Sequence, residues 1–88
     1  MSMEIIYLRR FRKQLKKLQK HEKLAVADAI ILFGKDPFHA SLKNHPLKGG
    51  MKGQRSMSAG FDLRIIFEEH EGYTVVVMIA VGSHEEVY

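Results

Sequence analysis

Cysteine is absent from the 88 residues of this sequence. That absence excludes a disulfide framework and any metal site built from thiolates, and it fits a reducing compartment, so we expect a cytoplasmic protein. We expect no signal peptide before the first charged, helix-like segment. The longest apolar run, residues 75–81, is too short to span a membrane. With 45% hydrophobic residues, the chain is expected to form a single domain, residues 1–88, around a small core.

Basic residues are missing from the last quarter of the chain. All 14 Lys and Arg lie at or before Arg64, with 5 Asp and Glu among them, which gives this part a charge of +9. The remainder carries 5 Glu and neither Lys nor Arg, a charge of −5. The basic part therefore favours a polyanion or an acidic protein as partner. Lysine-rich helices that are simply solvated would explain the same charge, and both interpretations stay open.

Two helices are predicted in the first half of the chain. Residues 9–20 carry apolar side chains at steps of three and four, typical of one helical face. A second helix is predicted over residues 22–33, with a break near His21 before it and Gly34 as the residue that ends it. The side chains expected on its apolar side are Leu24, Ala27 and Ile31, with Val26, Ile30 and Phe33 beside them.

Short β-prone segments surround the helices. A first strand is predicted over residues 3–8, and three consecutive strands over residues 54–59, 61–68 and 73–81. Between the helices and these strands, residues 36–53 are expected to be irregular. Consecutive strands pair antiparallel, and the helices must cover one face of the sheet. The sequence therefore predicts a two-layer α+β domain, with an N-terminal strand and a helical hairpin packed on a mostly antiparallel sheet.

Two side chains are candidates on position alone. Alternation along residues 61–68 places four apolar side chains on one face and Arg64 on the other, which should stay open. His84 follows Gly82, which is expected to end the last strand, so His84 should be firmly held yet reach solvent. Both have ordinary alternatives, because a surface histidine at a strand end is common and Arg64 could pair with Asp62 or Glu68.

Three segments together resemble the RelE/ParE superfamily of bacterial toxins from type II toxin–antitoxin systems, in particular its YafQ-like branch. They are residues 11–18, residues 42–55 leading into 62–67, and residues 81–88. The likeness covers nearly the whole chain. It implies a RelE-like fold and a toxin that cleaves mRNA in the ribosomal A site without a metal or other cofactor. It also implies a cognate acidic antitoxin as partner, in a toxin–antitoxin hetero-oligomer without membrane attachment.

The resemblance also implies roles for residues. In such toxins the ribose 2′-hydroxyl attacks the adjacent phosphate, which requires a base, an acid and a cation. His45 and His84 match histidines of the site, and we expect His84 to be the principal acid. Asp62 matches an acidic residue, Tyr88 the terminal aromatic, and Arg64 an arginine that binds the phosphate. Taken alone, His45 precedes a proline whose extended geometry explains its position, and Tyr88 fits an end-of-chain core anchor.

The glycine-rich loop before the last three strands supplies further candidates. Lys48, Lys52 and Arg55 lie in or beside it, and we predict that all three contact phosphates of the RNA. The glycines also resemble a phosphate-cradling loop, although no Walker pattern accompanies them.

The sequence departs from the YafQ-like pattern at three positions. Met51 stands where such proteins usually have a tryptophan, Ser58 lies near a missing histidine, and Leu63 replaces an aromatic residue. One acid–base candidate is therefore lost. Two alternatives to a nuclease stay open: a ParE-like inhibitor of DNA gyrase, which acts by binding alone, and a toxin that has lost catalysis and only binds its antitoxin.

Overall fold

The computed structural model describes residues 2–88. Its helices and strands, in chain order, are β1 (Glu4–Tyr7), α1 (Arg9–Lys16), α2 (Lys20–Lys35), β2 (His45–Pro46), β3 (Arg55–Ser58), β4 (Leu63–His70), β5 (Val75–Ser83) and α3 (His84–Val87). Two single 3₁₀ turns, Ala40–Leu42 and Gly49–Met51, flank β2. No helix within residues 2–88 is long and apolar enough to cross a membrane.

The strands form one sheet in the order β1-β5-β4-β3-β2. β1 pairs with β5 in parallel and all other pairs are antiparallel, which confirms the predicted α+β class. The helical layer packs on one face of the sheet, where Phe11 and Phe33 meet Ile65, Phe67 and Met78 in the main core. All five of these side chains are completely buried.

The helices begin and end at other residues than predicted. α1 ends at Lys16, and α2 begins at Lys20, before the break expected near His21. The reason is a capping box, in which the Glu22 carboxylate accepts a hydrogen bond of 2.8 Å from the Gln19 backbone N–H. Gly34 lies inside α2, so its prediction as the terminating residue is wrong; the helix ends where Asp36 turns extended.

The buried side of α2 also differs from the prediction. Val26, Ala29 and Phe33 face the core, whereas Leu24 and Ile31 are 58% and 60% exposed. Because α2 is apolar on several sides, its periodicity does not define a single inward face. Apolar surface therefore remains exposed along this helix.

A β-bulge interrupts the pairing of β4 with β5. Ile66 pairs with Ala80 and Phe67 with Met78, so Ile79 is an extra residue without a direct partner. An unbroken apolar run hides such a bulge, because apolar residues stand on both sides of the strand.

The bulge changes which residues of β5 face each side of the sheet. Met78 before the bulge and Val81 after it both face the helices, and Ala80 faces away from them. Gly82 consequently pairs with Arg64 on the far side. Gly82 does not end the strand as predicted, because β5 continues to Ser83.

The far face of the sheet is partly covered rather than open. Val87 of α3 is buried there against Ile66 and Ala80, and Leu47 and Met51 pack at the margin of this cluster. α3 is absent from the predicted elements because a single helical turn leaves no periodicity to detect.

The turn before β4 contradicts one further prediction. Phe61, expected on the apolar face of this strand, is fully exposed. Gly60 has a φ of +82°, which turns the chain, and β4 begins only at Leu63.

Two glycine substitutions test these boundaries: one should stabilise the fold and the other should destabilise α3. A Cβ added at Gly34 meets no atom within 4 Å, so Gly34→Ala should raise the free energy of unfolding by up to about 1 kcal/mol through helix propensity. A Cβ at Gly82 would lie 3.1 Å from Glu86 Oε1, so Gly82→Ala should loosen α3 and speed the exchange of its amide hydrogens. Urea unfolding and hydrogen exchange measure both effects. Stabilisation by Gly82→Ala would contradict the close approach of Glu86.

Candidate active site

A cavity of about 410 Å³ opens on the far face of the sheet. It is lined by His45, Leu47, Arg64, His84 and Tyr88. These residues come from β2, the segment after it, β4, α3 and the last position of the chain. The structure therefore brings together four of the five residues predicted for catalysis, from three separate parts of the sequence.

Arg64 is half-buried in the middle of the sheet. Its cross-strand neighbours, Ser58 on β3 and Gly82 on β5, carry no charge. Among the described residues 2–88, its side chain makes one hydrogen bond, which Nη1 donates to the Leu63 carbonyl at 3.0 Å. No carboxylate thus faces Arg64 from its pairing positions on β3 and β5, and its side chain lines the cavity.

His84 is the first residue of α3 and is exposed. Ser83 caps this helix: its N–H donates to the Glu86 carboxylate at 2.8 Å, and its hydroxyl accepts from the Glu86 N–H. The Ser83 backbone N–H holds the pKa of Glu86 below its usual range. The His84 ring packs edge-on against Tyr88, with ring centroids 4.4 Å apart. The cap and the aromatic contact together define where the imidazole lies.

Tyr88 fastens the end of the chain to the sheet. Its hydroxyl donates a hydrogen bond to the Ser56 hydroxyl on β3, and Ser56 is completely buried. Tyr88 itself remains 42% exposed and forms a wall of the cavity. It is therefore both an anchor of the chain end and part of the site.

His45 is exposed on β2, opposite Ser56 of β3. The predicted irregular stretch thus contains a short strand. His45 Nδ1 lies 2.7 Å from the Lys43 carbonyl oxygen. Because a carbonyl can only accept, Nδ1 carries the proton, and the neutral ring presents an unprotonated Nε2. This tautomer is the one that can take up a proton at Nε2.

Asp62 does not line this cavity. It lies in the turn before β4 and lines a smaller cavity of about 190 Å³, together with Glu22 and Phe61. Its catalytic role stays a prediction from the resemblance.

Lys48 and Lys52 are exposed at the two ends of the 3₁₀ turn Gly49–Met51. Met51 packs at the margin of the cluster formed by Ile66, Ala80 and Val87 on the far face of the sheet. The two lysines therefore lie on the same side of the sheet as the cavity.

Arg55 lies on the other side, which contradicts its predicted place beside Lys48 and Lys52. It pairs with Phe67, whose side chain belongs to the core under the helices. Arg55 Nε donates to Asn44 Oδ1 at 2.8 Å, and the guanidinium lies 5.7 Å from the Phe38 ring centroid. The two sides differ because successive residues of β3 face opposite sides of the sheet. Ser56 faces the cavity, so Arg55 faces the helices.

This sheet with its helical hairpin and terminal helix is the fold of small bacterial toxins. It is similar to the Escherichia coli DinJ–YafQ toxin–antitoxin complex (TM-score 0.80, 22% identity, 100% of this chain and 99% of that chain). It is similar to the RelBE2 toxin–antitoxin complex of Mycobacterium tuberculosis (0.78, 20%, 96% and 100%). The YoeB/ParE toxin of Agrobacterium tumefaciens is similar as well (0.77, 19%, 93% and 99%).

The family is shown by the sequence itself. The family model described as bacterial toxin of type II toxin–antitoxin system, YafQ, matches residues 3–88. The chain therefore belongs to the YafQ toxin family, which confirms the resemblance identified from the three segments. A comparison with curated protein sequences finds no significant match.

Proposed function

We propose that this toxin is a ribosome-dependent endoribonuclease that cleaves mRNA in the cavity between β2, β4 and α3. The observation that carries the proposal is the gathering of His45, Arg64 and His84 around one opening. Two imidazoles can transfer protons near neutral pH, and a guanidinium binds phosphate oxygens in a fork. Inhibition of gyrase by binding alone would require no such pair of imidazoles.

The reaction assigns one step to each group. His45 Nε2 takes the proton from a ribose 2′-hydroxyl, whose oxygen attacks the adjacent phosphorus. Arg64 stabilises the charge that develops on the phosphate oxygens. His84 gives its proton to the departing 5′-oxygen, so the products are a 2′,3′-cyclic phosphate and a 5′-hydroxyl. These groups supply both proton transfers and the charge stabilisation themselves, so the proposal assigns no metal.

Substitution of the acid and the cation tests this mechanism. His84→Gln removes the titratable proton and should slow cleavage by about 10²–10⁴-fold, since general acid–base groups contribute that much. Arg64→Ala should cost about 10²–10³-fold, as does the loss of one charge-stabilising donor. Primer extension on ribosome-bound mRNA measures both rates.

His70→Gln is the matched control for this assay. His70 is an exposed histidine at the end of β4 that does not line the cavity, so its substitution should leave cleavage unchanged. Equal cleavage by the wild type and a folded His84→Gln variant would remove His84 from the mechanism. A wild type that cleaves nothing but blocks gyrase-dependent supercoiling would establish the gyrase alternative.

Lys48 and Lys52 are proposed to contact RNA phosphates beside the cavity. Each Lys→Ala change should reduce the slope of log affinity against log salt by about one, because one fewer counterion is released. Titration of the ribosome–mRNA complex at several salt concentrations measures the slopes. Lys35→Ala, at the end of α2, removes the same charge outside this region and should leave the slope unchanged. Unchanged slopes in both loop variants would rule out phosphate contacts there.

We also propose that a cognate acidic antitoxin binds between α1 and α2. A groove of about 520 Å³ lies there, with Phe11, Leu15 and Ile31 among its apolar lining residues and Arg12 and Lys23 adding positive charge. An acidic amphipathic segment matches this surface in both apolar character and charge. Two of the similar folds were solved as toxin–antitoxin complexes.

Two substitutions on α2 test the groove. Ile31 lines it, whereas Leu24 is equally exposed on the same helix but lies outside it. The chain should arrest bacterial growth, and the antitoxin encoded beside it should relieve the arrest of the wild type and of Leu24→Asp. Ile31→Asp should remain toxic but escape relief, since a buried carboxylate opposes docking. Full relief of Ile31→Asp would place the antitoxin elsewhere.

A further inference from the structure

Asn44, the residue before His45, is held by three hydrogen bonds. Its Nδ2 donates to the Pro37 carbonyl at 3.0 Å and to the Tyr73 hydroxyl at 3.1 Å, and its Oδ1 accepts from Arg55 Nε at 2.8 Å. The orientation of the amide is therefore determined. A flipped amide would set an N–H against the Arg55 donor and a carbonyl against that of Pro37.

The partners of Asn44 are themselves tied to the core. The Arg55 guanidinium lies over the Phe38 ring, which packs edge-on against Tyr73 at 5.3 Å. Tyr73 in turn packs against the completely buried Phe33, with centroids 5.9 Å apart. Asn44 is thus clamped by side chains that the helical layer and the sheet hold in place.

His45 needs such a clamp because its own strand is weakly attached. β2 has two residues, both exposed, and one of them is Pro46, which has no N–H to donate. The chain also enters β2 through Lys43, whose φ of +52° is in the left-handed region. The carbonyl that fixes the His45 ring belongs to Lys43, so the ring depends on how the backbone on both sides of Asn44 is held.

We infer that Asn44, together with Arg55 and Tyr73, positions His45 for proton transfer. The clamp holds the Lys43 carbonyl in place to accept from Nδ1, which selects the tautomer of the neutral ring whose Nε2 can accept a proton. Arg55 is accordingly a positioning residue and not a phosphate contact. The use of Nε2 as the base rests on the proposed function, whereas the fixed ring does not.

The ring can be observed directly by NMR in the free protein. Long-range ¹H–¹⁵N correlation at a pH where the ring is neutral should show one Nδ1-protonated tautomer for His45. His45→Gln identifies its signals among the five histidines. In Asn44→Ala, Arg55→Met and Arg55→Lys, the ¹⁵N chemical shifts of the two ring nitrogens should approach each other, because the ring then averages between its two tautomers. Tyr73→Phe keeps the aromatic packing but removes one hydrogen bond, and should give a smaller change of the same kind.

Kinetics on the same variants separates positioning from binding. A misplaced base should lower kcat by about 10²-fold in Asn44→Ala and Arg55→Lys, with KM altered by less than about threefold. Lys35→Met is the control for loss of a positive charge. If Arg55→Lys retains full activity while Arg55→Met raises KM alone, Arg55 acts through its charge and the inference is overturned.

The NMR measurement and the test of nuclease activity can each contradict a different part of the hypothesis. Unchanged His45 ring shifts in Asn44→Ala, Arg55→Met and Tyr73→Phe would show that the clamp only stabilises the fold. If Asn44→Ala does not fold, the Tyr73→Phe and Arg55→Lys shifts decide the same question. A wild type with the expected tautomer but without nuclease activity would refute the proposed function and leave the clamp in place.

Discussion

The pairing of Arg64 with Gly82 across the two central strands is the constraint on which the site depends. The bulge at Ile79 sets it, since this extra residue brings Gly82 opposite Arg64 on the far face of the sheet. Glycine at that position leaves room for the Glu86 side chain, whose carboxylate caps α3 by accepting from the Ser83 N–H at 2.8 Å. One bulge between β4 and β5 therefore sets the positions of Arg64, of the cap and of the helix that begins with His84.

The two histidines proposed for catalysis lie on the shortest elements of a well-packed domain. The central strands bury their side chains completely at Ile65 and Phe67, whereas His45 is on a two-residue strand and His84 on a one-turn helix. Side-chain hydrogen bonds make up for the missing ladder and helix bonds. Tyr88 ties the chain end to Ser56, and Asn44 ties β2 to Arg55. Short pieces attached in this way can be exposed to a substrate and still be held in position.

Elements with one dominant sequence pattern could be predicted, whereas positions that depend on a tertiary contact could not. Alternation along β4 correctly placed Arg64 on the sheet face away from Ile65. The order of the elements correctly predicted the α+β class. The inward face of α2 could not be predicted, because apolar residues surround that helix. The place of Arg55 could have been predicted, since two-residue alternation puts it on the same face as the apolar Met57 and Ala59, which lie in the core under the helices. The clamp on Asn44 could not have been predicted, because Tyr73 lies 29 positions away in the chain.

The sheet separates the two surfaces for which functions are proposed. The groove with Ile31 is formed by the helices on one face, and the cavity with Arg64 and His84 opens on the other. A partner seated only in the groove would leave the cavity uncovered. Neutralisation by direct blockage thus requires a partner chain that continues around an edge of the sheet. A long segment that folds on binding suits this geometry, because such segments wrap large surfaces. The basic residues up to Arg64 would attract it to both faces.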